Sequence, residues 1–280
     1  VKEGIYMNLI QPMELMITDN EQWELKVYNL APVVFSGCCF IDNLSDRLKL
    51  EVSTRFSAGD FLANESEILK LRGNLGNILI AKEEYISQFA NLLNMSTVLY
   101  RLKTTINKNA PNMKIIVRNV PEIIFRKEYF VDVIEDSGCI YWPMSMTDGI
   151  IHNAMWKQFV DIKGAVDLYR KKLYPGMRLM FECTNLSDSL EAMNSGADGI
   201  ILRNMRPDLV AEITKTLRER FKKVYLEYIG DVKLSNIEGY AKTGVDSLGI
   251  DDITSLFGKS NLKMELKKII AEEQNETNEE

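Results

Sequence analysis

From Met113 onward the chain alternates short apolar runs with longer amphipathic ones, and no other feature of the sequence limits the fold as strongly. The runs are MKIIV (113–117), GIIHN (149–153), MRLMFEC (177–183), DGIIL (198–202), KVYLE (223–227) and DSLGI (246–250). Between the later ones lie helix-like segments, SDSLEAMNS (187–195), PDLVAEITKTLRERF (207–221) and LSNIEGYAKT (234–243), with Asn185, Pro207 and Ser235 as start signals. Strands alternating with helices pair in parallel through right-handed crossovers. One phrase is written twice, as SGADGIILRN (195–204) and TGVDSLGIDD (243–252). The offset of about fifty residues spans two β/α units, which fits a barrel rather than a solenoid. Barrel enzymes keep their chemistry at the C-terminal ends of the strands. The phrase endings, Arg203-Asn204 and Asp251-Asp252, therefore fall at candidate site positions.

The first 110 residues follow a different pattern. WELKVYNL (23–30), APVVFSGCC (31–39) and RLKLEVSTRFSAGDFLAN (47–64) read as strands with a Gly-Asp turn at 59–60, and a long helix is expected over 82–109. That is an α+β layer and a separate domain. The apolar FANLLNMSTVLY (89–100) is a candidate interface or interdomain face. The final AEEQNETNEE (271–280) has too little apolar surface to order itself and is expected to be a disordered acidic tail.

Charge and composition exclude several classes of function. With 34 basic against 40 acidic residues the net charge is -6, which argues against a nucleic-acid partner. The longest apolar runs fall far short of the roughly 20 residues of a membrane span, and the first twenty residues make a poor signal peptide. His152 is the only histidine and the four cysteines have no Cys-x-x-Cys spacing, which disfavours a zinc site or a His-dependent hydrolase. A reduced, cytoplasmic setting is expected, with His152 a packing residue or a base.

The element order, with MFECTNLSDSLEAMNSGADGIILRNM (180–205) and VYLEYIGDVKLSNIEGYAKTGVDSLGI (224–250), resembles the quinolinate phosphoribosyltransferase family, also called nicotinate-nucleotide pyrophosphorylase (carboxylating). SGCCF, SAGDFLA and KIIVRNVPE fall where that family has further motifs. The resemblance implies an α/β chain: an N-terminal α/β sandwich domain (1–112), then an incomplete α/β barrel of the seven-stranded type (113–270). It also implies a homodimer with a small-molecule ligand. The family's members bind quinolinate with basic residues and phosphoribosyl pyrophosphate with Mg²⁺, and release nicotinate mononucleotide, pyrophosphate and CO₂.

Carried over position by position, the resemblance places Glu182 and Glu227 on the family's two strand-end glutamates, as candidate catalytic groups or as partners of Arg203 in a structural network. The family's Thr-Arg-Lys-Thr becomes Val117, Arg118, Asn119 and Val120, so one of two cations remains. A His-Arg pair falls on Tyr141 and Trp142, and a Lys-Asp-Asn-His end falls near Asn153. The Asp of Leu-Asp-Asn-Met is Arg203, with Asn204 kept. A Gly-Gly phosphate turn reads Gly230-Asp231, and the glycine of the next phosphate loop is Asp251. Two like charges about 4 Å apart repel by about 4 kcal/mol at an effective dielectric of ~20, so the acidic replacements disfavour the usual anionic donor, while a guanidinium at 203 beside two glutamates could occupy the place of the Mg²⁺ expected of the family. No metal ligand is assigned. Two readings stay open: a pentosyltransferase with a substrate other than quinolinate, or a catalytically silent relative that works as a binding or assembly subunit.

Overall fold

The computed structural model describes residues 21–119, 126–142, 148–174, 176–258 and 262–270, so the acidic tail at 271–280 lies outside the described residues. They form two compact units, the first from the described parts of 1–97, 122–136 and 258–280, the second from those of 98–121 and 137–257.

In the first unit, β1 (Gln22–Asn29) lies between β5 (Glu67–Asn74) and β13 (Leu262–Lys268), antiparallel to both, and β3 (Glu51–Ser53) pairs with the far side of β5. Alternation along β1 buries Leu25 and Val27 on one face. The run expected as a strand over 31–39 is extended only at β2 (Val33–Val34), which pairs with β4 (Phe61–Leu62). Gly37, at φ 97°, then turns the chain into α1 (Cys38–Leu48), so the vicinal cysteines open a helix instead of ending a strand. The long helix expected over 82–109 is instead α2 (Leu75–Ile80), a π-turn (Ala81–Tyr85) and α3 (Ile86–Asn107). Phe89, Leu92, Leu93 and Met95 are buried, and Phe89 stacks on Phe40 with ring centres 5.6 Å apart. This part of 89–100 is core and offers no free dimer face. The unit also includes α4 (Lys127–Asp136), whose Tyr129 donates to Asn43.

The second unit is built on a parallel sheet in the order β7-β6-β12-β11-β10-β9-β8. Its strands are β6 (Lys114–Val117), β7 (Ile140–Tyr141), β8 (Gly149–His152), β9 (Arg178–Cys183), β10 (Gly199–Arg203), β11 (Tyr225–Ile229) and β12 (Ser247–Ile250). Connecting helices α5 (Ile162–Arg170), α6 (Leu186–Ser195), α7 (Pro207–Arg220) and α8 (Ile237–Ala241) complete an incomplete barrel of seven strands. Asn185 caps α6 by accepting from the Asp188 amide, and Pro207 opens α7. The start signal at Ser235 is displaced by one residue, to Asn236. Among the described residues no helix is long and apolar enough to cross a membrane.

The repeated phrase has a structural explanation. Gly196 and Gly244, at φ 106° and 82°, hold the left-handed turns that close the preceding helical segments. Two residues on, Asp198 donates its amide to the Leu179 carbonyl (2.8 Å) and accepts the Leu179 amide on its carboxylate (2.7 Å). Asp246 does the same for Leu226, at 2.8 Å both ways. An arginine from a helix neutralises each carboxylate: Arg170 pairs with Asp198 and Arg218 with Asp246, each at 2.8 Å. The Gly-x-Asp part of the phrase thus ties the start of each new strand to the start of its neighbour. Replacing Asp198 or Asp246 by Ala leaves a strand amide without an acceptor, an expected cost of ~1–3 kcal/mol in chemical denaturation. Asn at either position keeps an acceptor and recovers part of it. Alanine variants as stable as the parent contradict this role.

Candidate functional site

The half-barrel interior is set by alternation along the strands. Met180, Ile201 and Ile229 form its apolar floor, with Trp142, Ile151 and Tyr225 packed against them. The polar residues two positions along point the same way. Glu182, Ile201, Glu227 and Ser247 occupy matching register positions across β9, β10, β11 and β12. Arg118 follows the last residue of β6, Arg203 is the last of β10, and Asp251 follows the last of β12. Two ion-pair systems result.

The first is buried. Arg118 donates from Nη2 and Nε to the two oxygens of Glu227, at 2.6 and 3.1 Å, with side chains only 7% and 0% exposed. Trp142 lies against the guanidinium, its ring centre 5.0 Å from Cζ. Tyr225 donates to Glu227 Oε2 at 3.3 Å and shares a 2.6 Å hydrogen bond with Ser247. Burial raises the Glu227 carboxyl above the usual carboxylate range, against the pull of Arg118. Gly249 makes room for the pair, because a Cβ there would stand 2.3 Å from Glu227 Oε1.

The second system is half-buried. Arg203 donates to Glu182 Oε1 at 3.0 Å and to Asp251 Oδ2 at 2.6 Å, tying the ends of β9, β10 and β12 together. The remaining oxygen of Glu182 accepts the Ala154 amide at 3.4 Å. The sequence suggested Arg203 beside both glutamates. The structure gives it Glu182 and Asp251, and Glu227 belongs to Arg118. Two guanidinium groups thus face three carboxylates.

The remaining positions divide. Asn119 reaches the Asp251 carbonyl at 3.1 Å. Trp142 shares the interior with Arg118, but Tyr141, one residue earlier on a strand, lies on the opposite face, so the two do not form one stacking platform. Asn153 caps the short 3₁₀ turn Ala154–Gln158, accepting from the Met155 amide. Asn204 adopts φ 53° and donates its amide to the Ile229 carbonyl at 2.9 Å. A Cβ on Gly230 would meet the Tyr228 hydroxyl at 2.2 Å, so packing alone demands glycine there. Asp231 is exposed and pairs with Lys233 at 2.8 Å. His152 is buried on the outer face against Tyr169 and Phe181, and burial lowers its pKa. Tyr225, Ser247 and Gly249 had not been singled out in the sequence. For Tyr225 the signal was its spacing of two residues from Glu227.

Among the described residues no group of His, Cys, Asp and Glu side chains suits a metal ion. The arrangement explains why Mg²⁺ does not fit: the Arg203 guanidinium already spans Glu182 and Asp251, the carboxylates that would face a cation.

Residues 143–265 match the family model "Quinolinate phosphoribosyl transferase, C-terminal domain". The nicotinate-nucleotide pyrophosphorylase [carboxylating] of Rattus norvegicus is 19% identical over 241 residues, 85% of this chain and 80% of the relative. A probable nicotinate-nucleotide pyrophosphorylase [carboxylating] of Archaeoglobus fulgidus is 23% identical over 227 residues, 79% of this chain and 85% of the relative. The crystal structure of nicotinate-nucleotide pyrophosphorylase from Ehrlichia chaffeensis superposes with a TM-score of 0.78 at 19% identity, covering 92% of each chain. Residues 143–265 thus carry the quinolinate phosphoribosyltransferase C-terminal domain, and the chain is distantly similar over most of its length to nicotinate-nucleotide pyrophosphorylases.

Removing Arg118 strands a carboxylate in the dry interior. Arg118→Met is expected to cost ~3–5 kcal/mol, and Arg118→Met with Glu227→Leu to recover most of it. In the single variant the Glu227 carboxyl is raised without its cation. Stability is therefore fullest at pH below the ordinary carboxylate value and is lost as pH rises through the raised value. Denaturation of the two variants from about pH 4, near the ordinary glutamate value, up to about pH 8 checks this. A single variant that grows more stable with rising pH contradicts it.

Proposed function

We propose that this chain is a diverged member of the nicotinate-nucleotide pyrophosphorylase family that binds a small molecule other than quinolinate at the C-terminal mouth of its half-barrel. One observation carries the reading: Arg118 and Arg203, the cations of the mouth, are both engaged by carboxylates of the same mouth. A pyridine dicarboxylate and a pyrophosphate both need unengaged cations or backbone nests. Among the described residues two cations of the mouth face three carboxylates, so a neutral or cationic ligand suits it better than a polyanion. Arg203 and Asp251 remain 28% and 34% exposed, which leaves them accessible to such a ligand. Glu182 and Glu227 are then the electrostatic groups of the site.

The alternative, a catalytically silent subunit, draws support from the completeness of the same pairs. In either case the protein works as a cytoplasmic homodimer. Exposed Met155 and Phe159, just beyond β8, are consistent with a face that a second copy covers.

Purified protein is expected to form no nicotinate mononucleotide from quinolinate. Its melting temperature is expected to stay unchanged with Mg²⁺ and ~1 mM phosphoribosyl pyrophosphate. A ligand at 100 times its dissociation constant would add ~2.7 kcal/mol, a shift that is easily resolved. A magnesium-dependent upward shift, or turnover, overturns the reading. Sedimentation as a stable monomer at ~1 μM removes the dimer from it.

A further inference from the structure

The opposite end of the same half-barrel holds a cavity of about 380 Å³. Lys114, Ile140, Arg178 and Tyr225, all on its wall, are the first residues of β6, β7, β9 and β11. It therefore opens at the N-terminal edge of the sheet, away from Arg203 and Asp251. Ile116, Met180 and Trp142 line its inner part. Neither Lys114 nor Arg178 has a carboxylate within ion-pair distance among the described residues, and Arg178 extends over the Tyr225 ring, 6.0 Å from its centre. Asp148 also lies on the wall, so two cations and one carboxylate leave the opening with one net positive charge.

We propose that this cavity is a binding site for a small aromatic monocarboxylate. The apolar inner wall takes the ring, with Trp142 and Tyr225 offering faces and edges for it. Lys114 and Arg178 at the opening take the carboxylate through charge-assisted hydrogen bonds. An apolar hollow with a few convergent polar groups at its entrance has the general form of a small-ligand site. The contrast with the upper mouth is one of charge: above, each guanidinium is already neutralised, whereas below, neither cation has a carboxylate partner among the described residues. A ligand here would also touch, from beneath, the two rings that contact the buried pair, since Trp142 lies on Arg118 and Tyr225 donates to Glu227.

The experiment uses benzoate and indole-3-acetate as probes, in calorimetric titrations of the full chain and of three variants. At least one probe is expected to bind saturably with Kd at or below ~1 mM. Lys114→Glu and Arg178→Glu are each expected to weaken it about tenfold or more, a loss of ~1.4 kcal/mol. Arg203→Ala, at the other end of the barrel, is expected to leave it within about twofold of the parent. Circular dichroism of each variant before titration establishes that the folds match, and a second pair, Lys114→Gln and Arg178→Gln, replaces any glutamate variant that fails this. No saturable binding of either probe overturns the proposal. So does binding that Arg203→Ala abolishes, or binding indifferent to both lower cations. Failure here would leave the reading of the upper mouth untouched, because that reading rests on different residues.

Discussion

A charged pair sealed inside the half-barrel, Arg118 with Glu227, is the constraint around which the second unit is arranged. Two ions leave water only if their geometry and remaining hydrogen bonds compensate for lost hydration. The structure supplies both. The guanidinium meets the carboxylate through two donors, and a third donor comes from Tyr225, itself fixed by Ser247. Gly249 is glycine because any side chain would collide with Glu227. Trp142 closes over the guanidinium. These contacts draw on four strands, so the pair specifies how β6, β7, β11 and β12 meet.

The same electrostatics limits the function. A mouth that selects anions must present positive charge that its own carboxylates have not already taken. Arg203, standing where the family resemblance expects an aspartate, instead links Glu182 to Asp251 and stitches three strand ends together. An arginine at this position gives the site an internal cation between two of its carboxylates. Asp251 supplies that arginine's second partner.

Much of this was legible in the sequence. The alternation after Met113 specified parallel strands, and six of the seven strands fall on the apolar runs. The seventh, Ile140–Tyr141, is too short to produce a run of its own. The strand-end positions of Arg118, Arg203 and Asp251 could also be read, as could the inward pair Glu182 and Glu227. Which arginine meets which acid could not be read. Pairing depends on the lateral register and stagger of neighbouring strands, and a single chain does not print that register. The supports of Glu227 escaped notice for a related reason: Ser247 and Gly249 look like ordinary strand residues until β12 is laid beside β11. In the first unit, the helix at Cys38 was hidden because apolar residues and a left-handed glycine at 37 read equally well as the end of a strand.

The central claim is that both guanidinium groups of the mouth are held by the protein's own carboxylates in the absence of any ligand. Side-chain NMR of the free protein, with Arg118 and Arg203 assigned through their Lys variants, measures this directly. Guanidinium groups locked in ion pairs rotate slowly about the Nε–Cζ bond and give resolved NηH₂ signals, while mobile ones average to a single broad line. The account predicts resolved signals from both arginines at neutral pH, with Arg118 the slower to exchange with solvent because it is buried. Averaged, rapidly exchanging signals from both would show that the cations of the mouth are free, and would contradict it.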